Sequence, residues 1–181
     1  MSLEKIIYTI GHSTKTFDEF VLLLTSFKVK VLVDIRSSPG SKRYPHFNKE
    51  NLEQQLPDNK IIYRHFPDLG GRRKALKDSK NTAWKNDAFR GYADYMETDN
   101  FKKAINKLEE IASEYTTAYM CSEAVWWRCH RSLVSDYFKW KEWEVRHIKS
   151  ENKSEEHPYT SPSKVINGKL TYTADQQTLF N

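Results

Sequence analysis

The chain has 181 residues, with 29 Lys and Arg against 24 Asp and Glu, and a formal net charge of +5. Its hydrophobic content of 38%, its charged content of 29% and its mean hydropathy of -0.78 are typical of a globular domain and argue against a membrane protein. No apolar run approaches the roughly 20 residues that span a bilayer, and the N-terminus lacks the features of a signal peptide. We therefore expect a cytoplasmic protein with no membrane partner, in which both cysteines are thiols.

Hydrophobic periodicity predicts strands that alternate with helices along residues 1–149. Thr16 and Glu19 form a capping box at the start of the first helix. The predicted elements, in chain order, are a strand over 6–10, a helix opening after Thr16, a strand over 29–35, a short helix over 51–56, a strand over 61–64, two helices within 87–114, a strand over 116–121, a helix over 128–140 and a strand over 144–148.

This alternation is typical of an α/β fold. It predicts three layers: a mostly parallel sheet of about five strands with helices on both faces, in one core domain over residues 1–149. Residues 150–181 are more polar and contain Pro158 and Pro162. We expect them to form a C-terminal arm packed on the same domain, with one edge strand over 169–173.

Polar and reactive residues follow four of the predicted strands, at the point where each strand ends. These stretches are GHS at 11–13, DIRSSP at 34–39, RHFPDLGGRR at 64–73 and CSE at 121–123. The carboxyl ends of parallel strands share one rim, which is where open α/β sheets bind their ligands. The sequence therefore predicts a functional site at this rim.

Cys121 is the candidate nucleophile of that site. It would leave a buried strand and face the N-terminus of the next helix, where the helix dipole and nearby cations favour a thiolate. Glu123 is the candidate general acid or base, and His12 the candidate proton donor or ligand-orienting group. The competing interpretations are a structural core cysteine and a histidine satisfied within a turn.

Arginines, hydroxyls and glycines at the same strand ends are expected to contact a phosphate-bearing substrate. Arginine forks bind phosphate through two hydrogen bonds, and glycine lets the backbone approach a ligand closely. Solvated arginines and a turn without ligand remain the alternative. The candidate binding residues are Ser13, Asp34, Arg36, Ser37, Arg43, Gly70, Gly71, Arg72, Arg128, His130 and Arg131.

A zinc-stabilised domain is an alternative that would use Cys121, Glu123, Cys129 and His130, with His12 as a further donor. Zinc sites favour paired ligands such as C-x2-C, and the sequence contains no such pair. Adjacent Cys129 and His130 on a helix would project about 100° apart. We therefore expect no metal and no cofactor, and interpret Cys129 as a thiol of the packed core.

Residues 60–91 carry nine Lys and Arg against three Asp, interleaved with aromatic residues. Cations neutralise phosphates and flat rings stack on bases, so this segment predicts a nucleotide or nucleic-acid partner. It also supports a second hypothesis, a nucleic-acid-binding module without catalysis. A solvated surface loop is the simpler interpretation.

The ordered motifs resemble a bacterial and archaeal family called domain of unknown function 488. They are YTIGHS at 8–13, VDIRSSPGSKRYPHFN at 33–48, FPDLGG at 66–71, CSE followed by CHR at 121–131, and TYTADQQTLF at 171–180. The resemblance implies a compact α/β domain with a polar cluster and no settled activity. There is a weaker likeness to the rhodanese and cysteine-phosphatase architecture, because VLVDIR resembles a rhodanese strand and a strand ending in Cys121 leads through a loop to Arg128. The loop departs from that pattern, since six residues separate Cys121 from Arg128, one more than in the phosphatase loop, and none of them is glycine.

These observations together predict an enzyme. Its expected chemistry is group transfer or hydrolysis in a pocket centred on Cys121, acting on a nucleotide-like or nucleic-acid substrate.

Overall fold

The computed structural model describes residues 4–175. Its helices and strands are β1 (Ile6–Gly11), α1 (Phe17–Ser26), β2 (Val31–Asp34), α2 (Lys49–Gln55), β3 (Ile62–His65), α3 (Asp87–Met96), α4 (Asp99–Glu114), β4 (Thr117–Cys121), α5 (Arg131–Trp140), β5 (Glu144–Ser150), β6 (Lys153–Glu156), β7 (Lys164–Ile166) and β8 (Lys169–Thr171). Short 3-10 turns occupy Pro45–Phe47, Pro57–Asn59, Pro67–Leu69 and Trp126–Arg128. Within the described range, no helix has both the length and the apolar character needed to cross a membrane.

A six-stranded sheet in the order β3-β2-β4-β1-β5-β6 forms the centre of the molecule. Strands β1 to β5 are parallel, and β6 runs antiparallel to β5. The predicted α/β fold with a mostly parallel sheet is therefore confirmed. The predicted capping box is also present, because the Thr16 side chain accepts from the Glu19 amide at 3.1 Å and the Glu19 carboxylate accepts from the Thr16 amide at 2.8 Å.

Helices cover both faces of the sheet. One core forms where α1 and α2 pack on residues such as Leu32 and Met120, and the other where α3, α4 and α5 pack on residues such as Val33 and Tyr119. Alternate residues of β2 and β4 thus point to opposite cores, which explains why these strands read as continuous apolar runs.

The connections after β2 and β4 leave the sheet toward opposite faces. The loop after β2 leads to α2 on one face, and the loop after β4 leads to α5 on the other. Adjacent strands whose loops diverge in this way leave a crevice at their carboxyl ends. The topology therefore creates a concave site beside Asp34 and Cys121.

The segment predicted as an arm contributes more structure than expected. Strand β6 extends the main sheet, and β8 pairs with β7 in a separate two-stranded sheet. The strand expected over 169–173 is therefore present as β8, but it pairs with β7 in a hairpin and not with the edge of the main sheet. Residues 176–181, which include the end of the arm and the second half of the TYTADQQTLF motif, lie outside the described residues.

A buried polar cluster fastens the arm to α5. Asp136, fully buried, accepts from His157 Nε2 at 2.9 Å, from the Thr160 amide at 2.9 Å and hydroxyl at 2.5 Å, and from Tyr172 Oη at 2.9 Å. His157 Nδ1 lies 3.0 Å from His147 Nε2, and the chain of bonds ends where His147 Nδ1 meets the Thr9 hydroxyl at 2.6 Å. We call these six residues, Thr9, Asp136, His147, His157, Thr160 and Tyr172, the Asp136 cluster.

Candidate functional site

The strand register brings the predicted polar stretches to one rim of the sheet. Gly11 pairs with Cys121, and Asp34 lies between Met120 and His65. The Pro67–Leu69 turn and the following glycines come off the end of β3. The four strand ends that sequence analysis singled out therefore lie side by side.

The loops after β1 and β4 are joined in a seam. The His12 amide donates to the Cys121 carbonyl at 3.1 Å, and the Ser13 amide donates to the Ser122 carbonyl at 2.9 Å. A Cβ atom at Gly11 would lie 1.7 Å from the Glu123 carbonyl oxygen, so the close approach of the loops requires glycine there. Ser13 lies at the end of this seam and has a φ of 47°, in the left-handed backbone region that residues other than glycine seldom adopt.

Asp34 and Arg36 form a buried ion pair beneath the rim. Arg36 Nε and Nη2 donate to the two Asp34 carboxylate oxygens at 2.9 and 2.7 Å, and the Tyr63 hydroxyl donates to the same carboxylate at 2.6 Å. Arg36 Nη2 also donates to the Phe47 carbonyl at 2.7 Å. Asp34 is therefore occupied as the counterion of Arg36, and its role is to position that arginine.

His12 is held neutral beside Arg36. Its Nδ1 donates to the Ser13 carbonyl at 2.9 Å, and its Nε2 accepts from Arg36 Nη1 at 3.2 Å. Burial lowers the pKa of His12 to about 4, and the Arg36 charge adds to that effect. Because both ring nitrogens are used within the fold and the ring stacks on Phe47 at 4.3 Å, His12 positions the rim loops.

A cavity of about 270 Å³ opens at the carboxyl ends of β2 and β4. Three segments that are distant in sequence line it: the loop after β2, the glycine-containing loop after β3, and the Cys121–His130 loop. The lining residues are Arg36, Ser37, Ser38, Gly71, Arg72, Cys121, Ser122, Glu123, Arg128, Cys129 and His130. We call this space the rim cavity.

The rim cavity contains two exposed guanidinium side chains and one carboxylate. Arg72 and Arg128 are exposed, and neither has a carboxylate within 4.0 Å among residues 4–175. Arg72 has a φ of 61°, so its backbone is held in the left-handed region at the mouth of the site. The exposed Glu123 is the acidic residue of the lining.

Cys129 and Arg131 form the charged centre behind the cavity wall. Arg131 is only 2% exposed, and it donates from Nε to the Cys129 sulfur at 3.4 Å and from Nη2 to the Glu123 carbonyl at 2.7 Å. In the described part of the chain no carboxylate lies within 4.0 Å of this guanidinium. A buried cation requires an anionic partner, and the Cys129 sulfur is the group in position to supply one as a thiolate.

The surroundings of the two cysteines shift their thiol pKa values in opposite directions. Burial would raise the pKa of the Cys129 thiol, but the hydrogen bond from Cys121 and the charge of Arg131 outweigh it, so that pKa lies below its ordinary range. The hydrogen bond to Cys129, together with burial, raises the pKa of Cys121. This is the opposite of the lowered pKa that the sequence predicted for Cys121. Of the two sulfurs, Cys129 is therefore the one whose surroundings favour the ionised form.

His130 completes the wall next to this sulfur pair. Its Nε2 donates to the Ile35 carbonyl at 2.8 Å, which leaves Nδ1 as an acceptor. Burial lowers the pKa of His130 to about 4, so the ring is neutral. A Cβ atom at Gly71 would lie 2.9 Å from His130 Nδ1, and the loop after β3 reaches the ring because this residue is glycine.

Three of the residues considered for a zinc site come together in the structure. The donor atoms of Cys121, Cys129 and His130 lie within 4.8 Å of one another. They converge because Cys129 is extended, with φ -142° and ψ 172°, and α5 begins only at Arg131, so the expected 100° divergence does not apply. Glu123 and His12 are outside this set. The Arg131 guanidinium on the Cys129 sulfur places a positive charge against it, which disfavours a metal cation.

Several predicted binding residues lie outside the rim cavity. Arg43 packs over the Tyr44 ring at 5.4 Å, and the Gly70 carbonyl accepts from Arg73 Nε at 3.2 Å. Ser13, Asp34, His12 and Arg131 support the cavity from behind through the bonds described above. The predicted residues that do line it are Arg36, Ser37, Gly71, Arg72, Cys121, Glu123, Arg128 and His130.

Sequence reasoning placed Cys129 in the packed core, where the structure buries it, but it did not predict the contact of its sulfur with Arg131. The signal that would have identified it is Arg131 two residues later, since a guanidinium at that spacing can meet the sulfur once the chain is extended before the helix. It also missed Tyr63 as a partner of Asp34, and the whole Asp136 cluster.

The fold and the site define the class of protein: an α/β domain with a cysteine- and arginine-lined cavity at the carboxyl rim of its sheet. A family model described as domain of unknown function DUF488 matches residues 16–138, which is more than half of the chain. The chain therefore belongs to this family, as its motifs predicted. No curated protein and no solved structure matches the chain.

Proposed function

We propose that the rim cavity is the active site of an enzyme that binds a phosphate-bearing, nucleotide-like or nucleic-acid substrate and transfers a group from it to a cysteine sulfur. The observation that carries this proposal is the cavity itself, in which the exposed guanidinium groups of Arg72 and Arg128 share one space with the Cys121–Cys129 pair. Free cations next to a thiolate favour an anionic substrate with an electrophilic centre.

In this proposal Cys129 is the attacking sulfur, and Cys121 is its hydrogen-bond donor. The Cys129 thiolate forms a bond to the electrophilic centre while the bond to the leaving group breaks. Glu123, at the exposed edge of the cavity, supplies the proton to the leaving group and later accepts one from the water or acceptor that releases the product. The sequence-based assignment of Cys121 as nucleophile is thereby transferred to its neighbour.

The substrate class is supported by the cationic segment that continues from the cavity. Lys74, Lys77, Lys80 and Lys85 are exposed, and within residues 4–175 none of them has a carboxylate within 4.0 Å. Arg72 belongs both to this segment and to the cavity lining. A phosphodiester chain can therefore follow the segment while its terminal nucleotide enters the cavity.

The test is protection of the cysteines from alkylation. Adenosine 5′-monophosphate and a short single-stranded DNA should slow the reaction of the protein with iodoacetamide. Arg72→Ala and Arg128→Ala should each weaken this protection about 10-fold, because each removes a charge-assisted contact to phosphate. Arg43→Ala, an arginine outside the cavity, is the matched control and should leave protection unchanged. Absence of protection by either compound contradicts the proposal.

The second candidate function, nucleic-acid binding without catalysis, is favoured by one observation: the exposed cations of residues 72–85 form no ion pair with any described residue of the chain. It predicts oligonucleotide binding that weakens steeply with salt. The Cys129→Ser variant separates the two functions. A binding module keeps full function in this variant, whereas the proposed enzyme binds the oligonucleotide but loses turnover.

A further inference from the structure

We propose that the Cys121–Cys129 pair is a hydroperoxide-reactive dithiol, which closes to an intramolecular disulfide in the rim cavity. This inference goes beyond the proposed function, because it needs no phosphate-bearing substrate. It depends on three properties of the pair: proximity, access, and a charged partner for one sulfur.

The two sulfurs are close enough to be joined. Both cysteines are free, and their sulfur atoms lie within 4.8 Å of each other. A disulfide requires about 2 Å between sulfurs, so the gap that remains is within the reach of side-chain rotation. Cys121 ends β4 and Cys129 follows the Trp126–Arg128 turn. A loop of seven residues separates them, which leaves room for local adjustment.

Both sulfurs also face a space that a small oxidant can enter. Cys121 is 3% exposed and Cys129 is 7% exposed, yet both line the rim cavity of about 270 Å³. This volume admits hydrogen peroxide or a small alkyl hydroperoxide. The chain contains two cysteines in all, so the pair has no competing thiol.

Arg131 decides which sulfur reacts first. Its Nε donates to Cys129 at 3.4 Å, so the anionic sulfur is on Cys129. That thiolate attacks one oxygen of the hydroperoxide. The S–O bond forms, the O–O bond breaks, and the other oxygen leaves as an alcohol or water after it takes up a proton. The product on the protein is a sulfenic acid at Cys129.

Cys121 then resolves the sulfenic acid. Its sulfur attacks the Cys129 sulfur, the S–S bond forms, the S–O bond breaks, and the hydroxyl leaves as water with the Cys121 proton. The two thiols are oxidised and the hydroperoxide is reduced. An external dithiol reverses the reaction by exchange.

Closure of the disulfide also changes the charge balance behind the cavity. The reduced site pairs the buried Arg131 with a thiolate, whereas the oxidised site offers it no anion. Arg131 also holds the Glu123 carbonyl at 2.7 Å, so the loop that carries Glu123 is coupled to the state of the sulfurs. The oxidised protein should therefore bind phosphate-bearing compounds differently from the reduced protein.

The experiment uses the full chain. The protein is first reduced, the reductant is then removed, and a chelator is added to bind trace metal. One equivalent of hydrogen peroxide should remove both free thiols from the monomer, with a mass loss of two hydrogen atoms, and dithiothreitol should restore them. Cys121→Ser should stop at a sulfenic acid that dimedone traps at Cys129. Cys129→Ser should consume hydrogen peroxide at least about 10-fold more slowly than the wild-type protein does.

Three results would overturn the inference: retention of both thiols in the wild type, disulfides between chains only, or equal reactivity of the two serine variants. Cys121→Ala is a second resolving variant, and circular dichroism of every variant reports on folding. Because the assay contains no nucleotide, its outcome is independent of the protection assay that tests the proposed function.

Discussion

The molecule contains two polar clusters that use similar residues and differ in how completely the protein satisfies them. In the Asp136 cluster each histidine nitrogen and each carboxylate oxygen has a partner inside the fold. In the rim cavity two guanidinium groups have no carboxylate partner among residues 4–175, and a buried arginine is paired with sulfur. The comparison teaches that unpaired charge with access to solvent, rather than the presence of His and Asp, distinguishes the candidate site from the structural cluster.

The largest expected effect concerns the closed cluster. Asp136→Ala removes the acceptor of four hydrogen bonds and leaves a buried histidine and several donors unpaired. We expect a loss of about 3–5 kcal/mol in the free energy of unfolding, measured with urea. The control is Asp175→Ala, since Asp175 is exposed and its ion pair with Lys164 is at the surface. That change should cost less than about 0.5 kcal/mol. Equal losses for the two variants would remove the structural role assigned to the cluster.

Disrupting the seam between the loops after β1 and β4 should reduce the free energy of unfolding by less than disrupting the Asp136 cluster. Gly11→Ala places a methyl group against the Glu123 carbonyl, so the loop after β4 must move. We expect a loss of about 1–3 kcal/mol and an altered alkylation rate at the cysteines. Gly40→Ala is the matched control, because nothing lies within 4 Å of a Cβ atom there, and it should be neutral in both measurements. A neutral Gly11→Ala would show that the loops are not held against each other.

A smaller effect is expected from acid titration of His12. The pKa of His12 is lowered from 6.5 to about 4 in the fold, chiefly by burial. Below pH 6.5 the unfolded chain binds a proton that the folded chain does not bind until about pH 4. Stability should therefore fall through this window, by about 2 kcal/mol at pH 5 from this residue, and level off below pH 4.

The variant His12→Asn isolates that contribution. It retains an amide donor for the Ser13 carbonyl and has no titrating ring, so the fall in stability between pH 6.5 and pH 5 should be smaller by about 2 kcal/mol than in the wild type. Urea unfolding of both proteins at several pH values measures the difference. An unchanged pH dependence would show that the pKa of His12 is the same in the folded and the unfolded chain.

The parts of this molecule that follow local rules were predictable from sequence. Period-2 and period-3.6 patterns, together with the Thr16–Glu19 capping box, identified the parallel strands and their helices, and the strand ends identified the rim. Strand β6 was not predicted, because KSEE has no apolar alternation and forms only by adding to the edge of β5.

The location of the candidate site was predictable from the sequence, but the contacts of its individual side chains were less so. Arg72, Arg128 and Cys121 were placed correctly at one cavity, since parallel topology alone brings strand ends together. The contact between the Cys129 sulfur and the Arg131 guanidinium depends on an extended residue before α5, which no periodicity encodes. The Asp136 cluster combines residues 9, 136 and 157, and its bonds form only after the arm has packed.

The most direct test of the central claim is the rate of iodoacetamide alkylation, from pH 5 to pH 9, of Cys121→Ser and Cys129→Ser. If Cys129 is the thiolate paired with Arg131, Cys121→Ser should react about 10-fold faster near neutral pH than Cys129→Ser, with a midpoint below that of an ordinary thiol, about pH 8.5. A faster reaction in Cys129→Ser, where Cys121 is the remaining thiol, would contradict the account.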